Sequence, residues 1–234
     1  RGWSRSRRVA RTPNVSFPGS SRFEIIHGAS SIAAVSFFIT FEGIEGCGKS
    51  TQARLLVERL TERGRQALLT REPGGTELTL HIRELLADPD GELDRKAELF
   101  LFLADRAQHV TKVIKPALAE GTIVVSDRYS DSTLAYQGYG RGHDLDWLTE
   151  INERACQSTL PDLTLWLDCS VETGLERAVK LRGGPSDRFE NEPLDFHRNV
   201  HGGFVAPHQR FPERIVQIDA EASPEAVAGA IDAQ

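Results

Sequence analysis

Methionine is missing from all 234 residues, and the chain opens on Arg1. Residue 1 is therefore not expected to be an ordinary translation start. Cysteine is nearly as scarce: Cys47, Cys156 and Cys169 stand far apart, with no metal-ligand spacing between them. That scatter excludes a disulfide framework and points to a reducing compartment, here the cytoplasm. No apolar run approaches the ~20 residues of a membrane-spanning helix. The main body also lacks a basic surplus. Six of the 28 Lys and Arg, but only one of the 34 acidic residues, fall within 1–36, which leaves 22 bases against 33 acids in the remainder. An acidic body argues against general nucleic-acid binding, while a nucleotide needs only a local basic pocket.

Residues 1–35 differ in character from the rest of the chain. Arg1 to Arg8 is basic and Ser-rich without hydrophobic period, and disorder is expected there. Arg-rich, acid-poor composition also suits an organelle transit peptide. Against that, the first strand begins near Ser36, and Val35 fits a GTG start codon read as valine. The extension is expected to be upstream sequence or a dispensable tail, with a targeting peptide as the alternative. Residues 36–234 are long enough for one α/β domain with a substantial core.

One stretch organises that domain. Phe41-Glu-Gly-Ile-Glu-Gly-Cys-Gly-Lys-Ser-Thr51 holds Gly43, four residues, then Gly48, Lys49 and Ser50, the spacing of a phosphate-binding loop. The run before it, Val35 to Phe41, is apolar and β-prone. The run after it, Gln52 to Leu60, repeats Leu and Val at helical spacing. Glycines let backbone N–H groups turn onto phosphate oxygens, and a helix N-terminus adds its positive end. Gly43, Ile44, Glu45, Gly46, Cys47, Gly48, Lys49, Ser50 and Thr51 are thus read as the ATP-binding segment. Lys49 reaches the β- and γ-phosphates, and the Ser50 hydroxyl holds Mg²⁺.

The rest alternates strand and helix. Arg65 to Arg71 predicts a strand, followed by a Pro-Gly-Gly turn and a helix over about 77–87 capped by Thr76. A long helical pattern runs from Leu93 to about Glu120, with a kink or division expected near Pro116. Thr122 to Ser126 predicts a buried strand, Asp144 to Gln157 a helix capped by Asp144, Leu163 to Leu167 a strand, and Val171 to Leu181 a helix. Arg182 to Arg188 is polar, basic and Gly-rich, suited to a lid at about 182–192. Leu194 to Phe211 is helical but carries Gly202, Gly203 and Pro207, so a kink is expected. Arg214 to Asp219 predicts a fifth strand, and Pro224 to Ile231 a closing helix capped by Ser223. The pattern predicts a five-stranded parallel sheet with helices on both faces.

Phosphoryl transfer asks a protein mainly for positioning and charge stabilisation. Several cations must converge on two anionic phosphates, and the candidates are Lys49, Arg71, Arg106, Arg128, Arg182 and Arg188. Arginine suits the work because its planar fork binds phosphate oxygens two at a time. Asp127 follows the third strand, where ligands gather at the C-terminal edge of a parallel sheet, and is a candidate Mg²⁺ anchor. Its competing role is to cap a helix.

Together these segments resemble the thymidylate kinases, nucleoside monophosphate kinases with a P-loop NTPase fold. The resemblance rests on the loop and on Thr70-Arg-Glu-Pro-Gly-Gly-Thr76, Glu98 to His109, Asp127 to Gln137, and Asp187-Arg-Phe-Glu190 before Leu194-Asp-Phe-His197. It implies transfer of phosphate from ATP to dTMP with Mg²⁺, giving ADP and dTDP in dTTP synthesis. It implies that Phe102 stacks on thymine, that Arg106 bonds the O4 edge, and that Thr133 and Gln137 lie near the N3 edge. Tyr136 then presses where a 2′-hydroxyl would sit, Glu45 meets the 3′-hydroxyl, and Arg71 and Arg128 hold the monophosphate. The loop carries no arginine, so the resemblance is to the bacterial type whose catalytic arginine lies in the lid, at Arg182 or Arg188. A homodimer through helices beside the sheet is implied as well.

Two rivals stand beside it. A kinase for another nucleoside monophosphate, or for a deoxynucleoside, would differ at Phe102, Arg106 and Thr133. A P-loop GTPase switch would need an Asn-Lys-x-Asp motif to read guanine, and none occurs.

Overall fold

The structure is a computed structural model that describes residues 36–181 and 188–234. The expectations for 1–35, for Arg182 and for the first part of the lid fall outside these residues. Five parallel strands form the sheet in the order β2-β3-β1-β4-β5: β1 Phe37–Glu42, β2 Ala67–Arg71, β3 Ile123–Asp127, β4 Leu163–Asp168 and β5 Ile215–Asp219. β1 is central, and the register sets Phe41 opposite Asp127. Residue alternation sends Phe38 and Val124 to one face, against Val110, Ile114 and Ala117. It sends Ile39, Phe41 and Val125 to the other, against Ala53 and Leu56. Helices therefore cover both faces, the condition a parallel sheet needs.

The first helix, α1 (Lys49–Glu62), starts directly out of the loop, and its N-cap Gly48 makes no side-chain cap. The first amides of α1 thus keep their donors for a ligand. Four later helix starts carry side-chain caps instead. Thr76 forms a reciprocal box with Thr79 at α2 (Glu77–Ala87). Asp94 caps α3 (Arg95–His109), and its oxygen accepts from Lys96 and Ala97, so the helix begins two residues after the expected Leu93.

The expected break at Pro116 takes another form. A π turn, Val110–Ile114, joins α3 to α4 (Lys115–Ala119), and Lys115 N–H donates to Val110 O five residues back. Proline lacks an N–H and crowds the carbonyl four residues before it, and a wider turn accommodates both. The segment after β3, to which the residue pattern assigned no element, is α5 (Ser130–Thr133) continued by a second π turn, Leu134–Gly140. Next come α6 (Leu145–Cys156), capped by Asp144 at Trp147 N, and α7 (Val171–Leu181).

The expected interruption of the late helix is also corrected. α8 (Leu194–Arg210) runs unbroken through Gly202, Gly203 and Pro207. Gly203 serves close approach: a Cβ there would lie 2.7 Å from Ala135 Cα in the second π turn. The chain ends in α9 (Pro224–Asp232), capped by Ser223. Among the described residues no helix is long and apolar enough to cross a membrane.

Candidate active site

A cavity of about 410 Å³ opens at the C-terminal edge of the sheet. Glu45, Gly46, Gly48, Lys49, Ser50 and Thr51 line it from the loop side, with Arg71 after β2 and Asp127 and Arg128 after β3. Phe102, Arg106, Thr133, Tyr136 and Gln137 line the other side. Three loop residues do not line it. Ile44 and Cys47 bury their side chains in the core, and Gly43 turns its carbonyl to Arg128 Nη1 at 2.9 Å. Gly46 holds φ +69°, and a Cβ there would meet Gly174 O at 1.9 Å, so only glycine fits between the loop and α7.

Lys49 curls back over the loop, and its Nζ donates to Ile44 O at 2.6 Å and contacts Cys47 Sγ at 3.4 Å. Ser50 Oγ donates directly to Asp127 Oδ2. The two candidate metal-holding oxygens thus meet at the end of β3. Among the described residues no group of three or more His, Cys, Asp or Glu could hold a metal ion. Two hard oxygen donors beside a phosphate-binding loop nevertheless fit Mg²⁺, which takes one or two protein ligands and completes its shell with water and phosphate.

Arg128 occupies the left-handed region at φ 71°, a strained setting for a non-glycine residue. Its guanidinium lies 4.9 Å from the Tyr136 ring centre and donates to Ser132 Oγ and to Glu45 Oε1. Burial works against the Arg128 charge, but the facing Tyr136, Glu45 and Asp127 outweigh it. Tyr136 OH donates to the same Glu45 oxygen at 2.5 Å. Burial would raise the Glu45 carboxyl, yet Arg128, Lys49 and Tyr136 together hold it below its ordinary value. The other Glu45 oxygen lies 3.8 Å from Nδ1 of the buried His197. Neither that oxygen nor either His197 ring nitrogen has a hydrogen-bond partner among the described residues.

Beneath this layer, Glu42 accepts from Tyr129 N and Ser132 Oγ. Burial first, then the charge of Asp131, pushes its carboxyl up to about 8.

Arg106 is almost wholly buried, and each of its three nitrogens already has a protein acceptor. Nε and Nη2 fork onto Glu72, Nη1 reaches Thr133 Oγ1 and Asn152 Oδ1, and Nη2 also reaches Tyr129 O. Glu72 Oε1 pairs with His109 Nδ1 at 2.9 Å, and His109 Nε2 meets Thr70 Oγ1 at 2.6 Å. Asp105 sits alongside, accepting from Gly74 N, and burial with the neighbouring Glu72 charge raises it to about 6. The residue pattern pointed to Arg106 but not to this network. Its available signal was Asp105 and His109 one turn apart on α3.

Arg71, largely exposed, lines the cavity and makes no side-chain hydrogen bond to a described residue. Phe102 stands 5.9 Å from Phe189, ring centre to ring centre. The two lid arginines fare differently. Arg182 lies outside the described residues. Arg188 does not line the cavity; Nη1 pairs with Glu98 at 2.8 Å and Nε donates to Leu86 O. Phe189 and Glu190 line the cavity instead, as does Leu86.

Comparison with known proteins gives one answer. The family model for thymidylate kinase matches residues 41–231. A thymidylate kinase of Synechococcus sp. (strain JA-2-3B'a(2-13)) is 56% identical over 193 residues, covering 82% of this chain and 90% of its own length. That of Gloeobacter violaceus is 50% identical over 191 residues, covering 82% and 90%. The crystal structure of thymidylate kinase from Ehrlichia chaffeensis superposes with a TM-score of 0.71 at 35% identity, covering 85% of this chain and 98% of that one. On the strength of these matches and of the fold beneath them, the chain belongs to the thymidylate kinase family.

Proposed function

We propose that residues 36–234 transfer the γ-phosphoryl group of Mg-ATP to dTMP, producing ADP and dTDP. One observation carries this reading: the phosphate-binding loop and the ring-and-amide wall of Phe102, Thr133 and Gln137 share a single cavity. A nucleoside monophosphate stacked on Phe102 directs its phosphate toward Arg71 and Arg128, across from Lys49. Base stacking of this kind contributes ~1–3 kcal/mol. Glu45, held as a carboxylate by its neighbours, accepts from the sugar 3′-hydroxyl, and Tyr136 closes the space for a 2′-hydroxyl.

Because Arg106 is committed to Glu72, Thr133, Asn152 and Tyr129 O, reaching thymine O4 requires it to share one of these donors. Ser50 and Asp127 would hold Mg²⁺, whose charge offsets that of the phosphates. Arg182 takes the role of lid arginine acting on the transferring group, since Arg188 is engaged with Glu98. A homodimer through α3 and α6 belongs to the same reading. Its support is the exposed pair Phe100 and Trp147, with ring centres 6.5 Å apart.

Phosphorus NMR of the protein with dTMP, ATP and Mg²⁺ tests the reaction. The account expects the dTMP resonance to be replaced by the two signals of dTDP as ADP accumulates. ADP accumulating with inorganic phosphate and unchanged dTMP would contradict it.

A further inference from the structure

Glu98 lies on α3 one turn before Phe102, almost wholly buried. Its Oε1 accepts from Arg141 Nε at 3.1 Å and from Gln137 Nε2 at 3.0 Å. Its Oε2 accepts from Arg141 Nη2 at 3.0 Å and pairs with Arg188 Nη1 at 2.8 Å. A carboxylate held between two guanidinium groups offers only lone pairs. The end of the Gln137 amide that faces it must therefore be the NH₂ group, which leaves the carbonyl as the free polar atom of a side chain that lines the cavity. No described residue donates to that carbonyl.

We propose that Glu98 is a specificity-determining positioning residue: by holding the Gln137 amide in one orientation, it makes the base pocket present an acceptor. An acceptor selects a ring N–H. Thymine and uracil carry one at N3, whereas cytosine has a lone pair there and would face the Gln137 carbonyl lone pair to lone pair. Thr133 cannot make this choice, because a hydroxyl donates or accepts as required. The inference rests on the dTMP reading and deepens it.

The test compares kcat and KM for dTMP and dCMP in the wild type, Glu98→Gln and Arg141→Ala. An amide at position 98 offers either end, so Gln137 is freed to turn. For Glu98→Gln, KM for dTMP rises and the dTMP-to-dCMP ratio of kcat/KM falls, each by at least ~10-fold, with kcat for dTMP less affected. Arg141→Ala loosens the same carboxylate but keeps its bond to Gln137, and the ratio stays within ~3-fold of wild type. A ratio unchanged in folded Glu98→Gln, or lowered equally in Arg141→Ala, overturns the proposal. If Glu98→Gln does not fold, N3-methyl-dTMP decides the matter on the wild-type protein. It should inhibit at least ~10-fold more weakly than dTMP binds, and equal affinity overturns the proposal. Failure of the wild type to turn over dTMP would instead overturn the underlying reading, and this inference with it.

Discussion

Arg128 Nη2 stands 3.1 Å from Glu45 Oε1, joining the residue after β3 to the middle of the phosphate-binding loop. The same guanidinium holds Gly43 O and Ser132 Oγ. Arg128→Ala therefore has two effects. It removes the fork proposed to hold the monophosphate, and it leaves Glu45 facing Tyr136 without its principal counter-charge. Turnover should fall by at least ~10²-fold, and stability by about 3 kcal/mol, the lower end for a broken buried pair because Arg128 is partly exposed. Arg128→Lys should restore little turnover, since an ammonium group cannot reproduce the fork. Steady-state kinetics and urea denaturation check both, and a lysine variant with wild-type kcat/KM would contradict the assigned fork.

Lys49→Ala tests the loop by itself. Among the described residues Lys49 Nζ bonds only within the loop, to Ile44 O and near Cys47 Sγ, so its loss should spare the fold. Phosphoryl transfer should drop by at least ~10²-fold with little change in the urea midpoint. Turnover at the wild-type rate would remove the loop from the chemistry.

Glu42 ties stability to pH. Its carboxyl is raised from 4.5 to about 8, chiefly by burial and next by Asp131. The stability it contributes is fully present below the unfolded value and is lost as pH rises through the folded value. Between these limits the unfolded chain releases a proton that the native protein keeps, worth up to ~1.4 kcal/mol per pH unit. Glu42→Gln removes that slope while keeping a polar group against Tyr129 N and Ser132. Urea midpoints measured from pH 5 to pH 8 should fall more steeply for the wild type than for the variant, and parallel slopes would contradict the assignment.

Gly203→Ala tests the packing of α8 on the second π turn. The added methyl would lie 2.7 Å from Ala135 Cα and 3.1 Å from Tyr139 Cβ, so α8 must shift. Overpacking of this kind costs ~1–3 kcal/mol. Gly202→Ala, whose new methyl would meet nothing within 4 Å, should be neutral or slightly stabilising through the helix preference for alanine. Equal urea midpoints for the two variants would refute the close-approach reading.

What was legible in the residues alone was local. The loop spacing, the apolar run of β1 and the caps Thr76, Asp144 and Ser223 each depend on neighbours a few residues away, and the structure has all of them. What escaped depends on distant partners. Ser130 to Thr133 is polar and the residue pattern assigns it no element, yet it is helical and buried, with Asp131 paired to Arg214 and Ser132 to Glu42. Arg106 reads from the residues as a cation for phosphate, and by the resemblance as one that bonds a base edge, yet Glu72, Tyr129, Thr133 and Asn152 converge on it from 23 to 46 residues away. Arg188 sits beside a Gly-rich lid in the sequence, but its partner Glu98 lies on α3. The alternation of strands and helices set the fold class, whereas the wiring of the cavity wall is a property of the folded sheet edge.

The most direct test of the central claim is an ADP-release assay with Mg-ATP that compares dTMP, dUMP, dCMP, dGMP and UMP as acceptors. The account predicts the highest kcat/KM for dTMP, with UMP disfavoured by the Tyr136 wall and dCMP by the Gln137 carbonyl. A higher kcat/KM for any other monophosphate, or no acceptor-dependent ADP release at all, would contradict it.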